Sequence, residues 1–295
     1  MSGVDILVSS ANQLKEHYWP LIKSRQTFLL ALTGIAGYLS QRPVPMDWPR
    51  FAGLVGSLLI TIGGCTVLNM VFDRDIDQKM ARTRQRPLAA MQVNVQTAAW
   101  LGSVLIILGL AWALTLSVLY FALALAGVGL DVLVYTIWLK RRSAWSILWG
   151  GLSGGIPILA SRALVISRID ATGLLMALAI VCWIPSHNLT LSMLYSEDYL
   201  NASLPTFLNV YGLATTRATV VLSSLFSIIL MMAAFVRLNL SLPLFTVFGV
   251  SSLGLVGMAV YVWASSSRQA VAALYKYSSF YMLAAMVFLL LAALK

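Results

Sequence analysis

Residues 69–88 read NMVFDRDIDQKMARTRQRPL and set Asp73, Asp75 and Asp77 among Arg74, Lys79, Arg82, Arg84 and Arg86. So much charge is out of keeping with a chain that is 60% hydrophobic and only 10% charged. Asn69, Asp73 and Asp77 recur every fourth residue, so a helix carries them on one face with a drift of about 40° per step, while Asp75 points roughly the other way. Two carboxylates and an amide oxygen on one face are hard ligands of the kind Mg²⁺ takes, its shell completed by phosphate oxygens of a substrate. The competing reading is a surface loop in which the aspartates only answer the arginines. Asn69 weighs against it, because the amide lies inside an apolar run where a polar group needs a reason.

A site for a diphosphate also needs cations, and arginine offers planar two-point contacts to phosphate oxygens. Arg82 and Arg86 follow the acidic face directly, and Lys140, Arg141, Lys23 and Arg25 are further candidate donors. A second acidic pair, Glu197 and Asp198, lies about half the chain away. Each acidic group follows a long apolar segment, which suggests a duplicated four-helix unit with one acidic loop per copy. The expected metal ligands are therefore Asn69, Asp73, Asp77, Glu197 and Asp198.

The elements that must hold these residues are membrane spans. A chain of 295 residues with a mean hydropathy of +0.86 has more apolar surface than a water-facing shell could cover. Runs of the roughly 20 apolar residues that a spanning helix needs recur throughout, and strand alternation is absent. The expectation is an all-α integral membrane protein, a single domain over 1–295, with nine spans near 22–40, 51–72, 96–116, 118–137, 145–165, 171–194, 213–236, 242–264 and 275–294. With the N-terminus inside, Arg42, Arg50, Arg162, Arg168, Arg237 and Lys295 are outside, and the other fourteen of the 20 basic residues fall inside. That bias predicts a cytoplasmic N-terminus in a prokaryotic plasma membrane. The charge of +10 is thereby accounted for, and no nucleic-acid partner is expected. Cys65 and Cys182, each in an apolar stretch, read as packing residues rather than a disulfide or thiolate site. The first seventeen residues fit neither a signal nor a transit peptide.

The stretch DRDIDQKMARTRQRPL, residues 73–88, resembles the UbiA superfamily of intramembrane prenyltransferases, and within it the protoheme IX farnesyltransferase (heme O synthase) branch. Residues 18–39, YWPLIKSRQTFLLALTGIAGYL, 135–157, YTIWLKRRSAWSILWGGLSGGIP, and 183–205, WIPSHNLTLSMLYSEDYLNASLP, are similar to further segments of that branch. The resemblance implies a nine-helix UbiA-type bundle and Mg²⁺-dependent transfer of farnesyl from farnesyl diphosphate to a vinyl group of heme b, with membrane lipids around it and terminal-oxidase assembly components as partners. Other readings are transfer to a quinone precursor or lipid alcohol, and a non-catalytic heme-binding or transport protein. His187 is the candidate heme contact, and Tyr135, Tyr195 and Tyr199 are the candidate neighbours of the acceptor or prenyl cation. Asp131, near the middle of the fourth span, has no assigned role.

Overall fold

The computed structural model describes residues 19–265 and 267–293, and among them every regular element is a helix. In a bilayer the backbone must satisfy its own polar groups, and a helix does so within one segment. A 3₁₀ turn, Trp19–Ile22, leads into α1, Ser24–Leu39. There follow α2 (Trp48–Phe72), the short α3 (Arg74–Lys79), α4 (Val95–Leu116), α5 (Val118–Leu139) and α6 (Ser146–Ile166). The chain continues with α7 (Ala171–Leu194), the short α8 (Ser196–Asn201), α9 (Phe207–Arg237), α10 (Leu242–Ala264) and α11 (Arg268–Ala293).

Among the described residues, eight helices are long and apolar enough to cross a membrane: α2, α4, α5, α6, α7, α9, α10 and α11. The first expected span is shorter than the reading at 22–40. With 16 residues, α1 reaches about 24 Å, short of a hydrocarbon core of roughly 30 Å. Two other bounds move. The last helix begins at Arg268 rather than near 275, and the seventh begins at Phe207 with a break at Gly212, whose φ of 79° is open to glycine without strain. The elements start where caps allow: the side chains of Asn94, Asp170 and Thr206 accept backbone N–H groups at the heads of α4, α7 and α9.

Packing follows the small-residue logic of membrane helices. At Gly64, on α2, a Cβ would lie 2.7 Å from the carbonyl oxygen of Gly102 on α4, so the two backbones approach as only glycine permits. The largest buried cluster joins α7, α9, α10 and α11 around Met176, Phe235, Phe248 and Tyr281. A second, with Leu54, Leu58, Tyr38 and Tyr120, joins α1, α2, α5 and α6. Over one end of the bundle the two acidic segments form a cap. Ile76 and Met80 of the first pack with Ala202 and Leu204 of the second, and Tyr199 lies against them.

Candidate active site

The expected face of α2 and α3 exists and points inward: Asn69, Asp73 and Asp77 are all buried. Asp73 ends α2, where Lys140, just past the end of α5, donates to its Oδ2 at 2.5 Å. The other oxygen, Asp73 Oδ1, is buried with no hydrogen-bond partner among the described residues. Asp77, in α3, accepts from Arg86 Nη1, which lies 2.9 Å from each carboxylate oxygen. Lys23, at the head of α1, faces the same group, its charge interacting with Arg86, Asp73, Lys140 and Asp77. Residues far apart in the chain thus converge into one set of two carboxylates and three cations. Burying such charges demands this pairing, since an unpaired ion in a low-dielectric site is costly.

Asn69 has a partner that sequence spacing did not reveal. Its Nδ2 donates to Asp131 Oδ2 at 3.0 Å, and its Oδ1 accepts from Thr136 Oγ1 at 2.9 Å. Asp131 and Thr136 lie on the part of α5 that winds as a π-helix, Gly129–Leu139. The wider turn brings both residues to Asn69, and π-helical segments recur at functional sites. The visible signal was a carboxylate inside an apolar span; the partner, 62 residues away, was not visible.

Asp75 lies on the other side of α3, as its spacing predicts, and takes Arg141 with it. The guanidinium donates to both Asp75 oxygens, at 2.7 and 2.6 Å, and to the Phe72 carbonyl at 2.6 Å. These hydrogen bonds hold the Asp75 carboxyl below the ordinary carboxylate range. Arg141, read as a diphosphate donor, is therefore engaged on the exposed side, away from Asp73 and Asp77.

The second acidic pair divides. Asp198 accepts the backbone N–H groups of Ala81 at 3.0 Å and Arg82 at 3.2 Å, which ties the two halves of the cap together. Glu197 is exposed and lines an open cleft with Arg82, Arg217 and Arg268. Among the described residues no three acidic, histidine or cysteine side chains gather as a metal cluster. Glu197 and Asp198 therefore do not close with Asp73 and Asp77 into one set of carboxylates.

Of the aromatic candidates, Tyr135 is nearest the charged group, with Lys140 Nζ 5.8 Å from its ring centroid. Tyr195 carries the Arg82 guanidinium over its face at 5.3 Å, and Tyr199 packs inside the cap. His187 is stacked between Trp183 and Tyr275 at centroid distances of 4.8 and 4.5 Å, and its Nδ1 lies 3.0 Å from Ser278 Oγ. This places its imidazole in the seam between α7 and α11. Arg25, as a side chain, lies outside the described residues.

Beneath the charged group a narrow cavity runs between α1, α2, α5 and α6, with Asn69 and Asp131 on its wall and mainly apolar side chains beyond them. A charged mouth over an apolar intramembrane cavity suits a ligand with an anionic head and a hydrocarbon tail, the substrate shape of a membrane prenyltransferase.

Residues 29–292 match the family model described as the UbiA prenyltransferase family, and the chain belongs to that family. It is a prenyltransferase and a multi-pass membrane protein. A protoheme IX farnesyltransferase of Thermofilum pendens is 36% identical, over 85% of this chain and 86% of the relative. One of Korarchaeum cryptofilum is 36% identical, over 76% and 78%. The fold is shared with a digeranylgeranylglyceryl phosphate synthase structure, at a TM-score of 0.79 and 15% identity, covering 96% of this chain and 99% of the other. It is shared too with a UbiA homolog from Archaeoglobus fulgidus solved with GPP and Mg²⁺, at a TM-score of 0.68 and 12% identity, covering 92% and 99%.

Proposed function

We propose that this prenyltransferase moves a farnesyl group from farnesyl diphosphate to a vinyl group of heme b, with Mg²⁺, at the cytoplasmic face of a prokaryotic plasma membrane, the whole chain acting as one catalytic unit. The observation that carries the diphosphate chemistry is the buried group of Asp73, Asp77, Lys140 and Arg86 at the mouth of the cavity. The acceptor rests on the relatives, which bear the name protoheme IX farnesyltransferase and align over most of both chains.

The donor set fits a divalent cation. Asp73 Oδ1 is buried and unpartnered among the described residues, and a buried carboxylate oxygen left so is a costly state that a cation relieves. Asn69, Asp73 and Asp77 would hold Mg²⁺, and Asp198 would serve by closing the cap over them through the Ala81 and Arg82 N–H groups. Bound there, the metal supplies Lewis-acid neutralisation of the diphosphate leaving group.

The chain's own residues do the rest. Lys140 and Arg86, now paired with the two carboxylates, exchange those contacts for diphosphate oxygens, with Lys23 and Arg82 adding charge. They meet the negative charge that grows as the C1–O bond of the allylic diphosphate breaks and its electron pair leaves with the diphosphate. The cap, closed by Asp198, keeps water from the allylic cation, and the Tyr135 ring lies beside Lys140 where a cation is stabilised by its π face. C1 then bonds to the vinyl terminus, and water adds at the neighbouring carbon with loss of a proton.

The test is incubation of membranes containing the chain with heme b, farnesyl diphosphate and Mg²⁺, followed by mass analysis of the extracted heme. A farnesylated, hydrated heme is expected. Prenylation of 4-hydroxybenzoate with heme b untouched would move the acceptor to the quinone-precursor class.

A further inference from the structure

We propose that Tyr120 is the floor of the apolar cavity and limits the transferred chain to three isoprene units. The proposal rests on the reading that the diphosphate binds at Asp73 and Asp77. Two helices line the cavity in parallel, with matching registers. On α2 the wall residues Leu58, Ile62, Cys65 and Asn69 form one stripe, and on α5 Tyr120, Ala124, Val128 and Asp131 form another. The stripes meet at the charged end through the hydrogen bond between Asn69 and Asp131, 3.0 Å long. They meet again at the far end, where Tyr120 Oη lies 3.0 Å from Oγ of Ser57, one residue before Leu58.

Each stripe runs eleven residues, from 58 to 69 and from 120 to 131, which at 1.5 Å per residue gives a depth of about 16 Å. A farnesyl chain extends twelve carbons along its backbone, and with bonds of about 1.5 Å at tetrahedral angles it spans roughly 15 Å. A fourth unit adds roughly 5 Å by the same geometry and would have to pass the ring. That ring cannot step aside freely: Tyr120 is 1% exposed, packed in the cluster with Leu54 and Leu58, and held by Ser57.

Two variants move the floor in opposite directions. Tyr120→Ala lowers it, and Ala124→Leu, one turn nearer the charged end, raises it. For the purified full chain with Mg²⁺, competition binding of geranyl, farnesyl and geranylgeranyl diphosphates is measured beside transfer to heme b. Tyr120→Ala is expected to raise the preference for geranylgeranyl over farnesyl diphosphate by about tenfold or more, and Ala124→Leu to raise geranyl over farnesyl by a similar factor. If Tyr120→Ala fails to fold, Ala124→Leu alone decides. Preferences that stay within about twofold of the parent while all three diphosphates bind would overturn the floor and leave the head-group site standing. If none of the three binds the parent chain, the head-group reading falls and the floor with it.

Discussion

At the scale of the residue, the sequence spacing located the acidic face and its direction, but not the company it keeps. Asn69, Asp73 and Asp77 are buried and Asp75 is not, as a four-residue period requires. The spacing could not show that Lys140 and Arg86 close on Asp73 and Asp77, or that Arg141 is drawn away by Asp75, because such pairings depend on how distant loops fold back. Asp73 is central, with one oxygen on Lys140 and the other unpartnered among the described residues. Asp73→Asn is expected to lower kcat/KM by about a hundredfold or more, since charge stabilisation at a leaving group is the largest single effect available here. Steady-state transfer assays at several Mg²⁺ concentrations check it. An undiminished rate would remove Asp73 from the site. Asp131 acts one contact further out, by fixing the Asn69 amide. Asp131→Leu is therefore expected to raise the Mg²⁺ needed for half-maximal activity by about tenfold, whereas Asp131→Asn, which keeps an acceptor for Asn69 Nδ2, recovers most of the loss. Calorimetric binding of Mg²⁺ with the diphosphate substrate gives the same comparison without turnover, and equal behaviour of the two variants would contradict the positioning role.

At the scale of the element, hydropathy was a good guide to the long helices and a poor one to their irregularities. Composition over twenty residues reports burial in lipid, which is why the spans from α2 to α10 lie close to their expected places, the start of α9 apart. The π-helical half of α5 has no hydropathy signature, because its apolar residues suit either winding, yet it sets Asp131 against Asn69. The α6–α7 turn shows how a polar pair can hold two spans. Arg162, buried near the end of α6, donates to both oxygens of Asp170 at 2.8 and 2.7 Å, and Asp170 Oδ1 also accepts the Gly173 N–H that opens α7. The guanidinium hydrogen bonds hold the Asp170 carboxyl below its ordinary range. A depressed folded-state value means that this stabilisation is fully present above the unfolded value, near 4, and is lost as pH falls through the lower folded one. Asp170→Asn keeps a capping oxygen but leaves Arg162, which still donates to Ser40 Oγ, without its counter-charge, so it is expected to cost about 1–2 kcal/mol at neutral pH. Thermal unfolding in detergent from pH 7 down to 3 should show the parent losing stability at the acid end and the variant lacking that component. An unchanged acid profile in Asp170→Asn would assign the pair no energetic role.

At the scale of the whole molecule, the two acidic segments are partners across a cap, and their meeting puts both at one face of the bundle. Four crossings, α4, α5, α6 and α7, separate α3 from α8, so both segments emerge on the same side whatever the short α1 does. Asp198 confirms the meeting by accepting from Ala81 and Arg82, and Ile76, Met80, Ala202 and Leu204 seal it. Among the described residues that side carries Arg74, Lys79, Arg82, Arg84, Arg86, Lys140, Arg141 and Arg142 in short segments, and such an excess supports the proposed cytoplasmic placement. A diphosphate has no means of crossing the hydrocarbon region, so a site under this cap has to open to the compartment that holds the substrate. The prediction is made on exposed positions in a background where Cys65 and Cys182 are replaced by serine. Arg168→Cys, in the α6–α7 turn, and Asn239→Cys, between α9 and α10, are expected to react with a membrane-impermeant maleimide in intact cells. Arg84→Cys, in the cap, is expected to react only once the membrane is opened. The reverse pattern would place the cap and its cations outside, where the charge bias forbids them, and the cytoplasmic diphosphate site would have to be abandoned even with the fold unchanged.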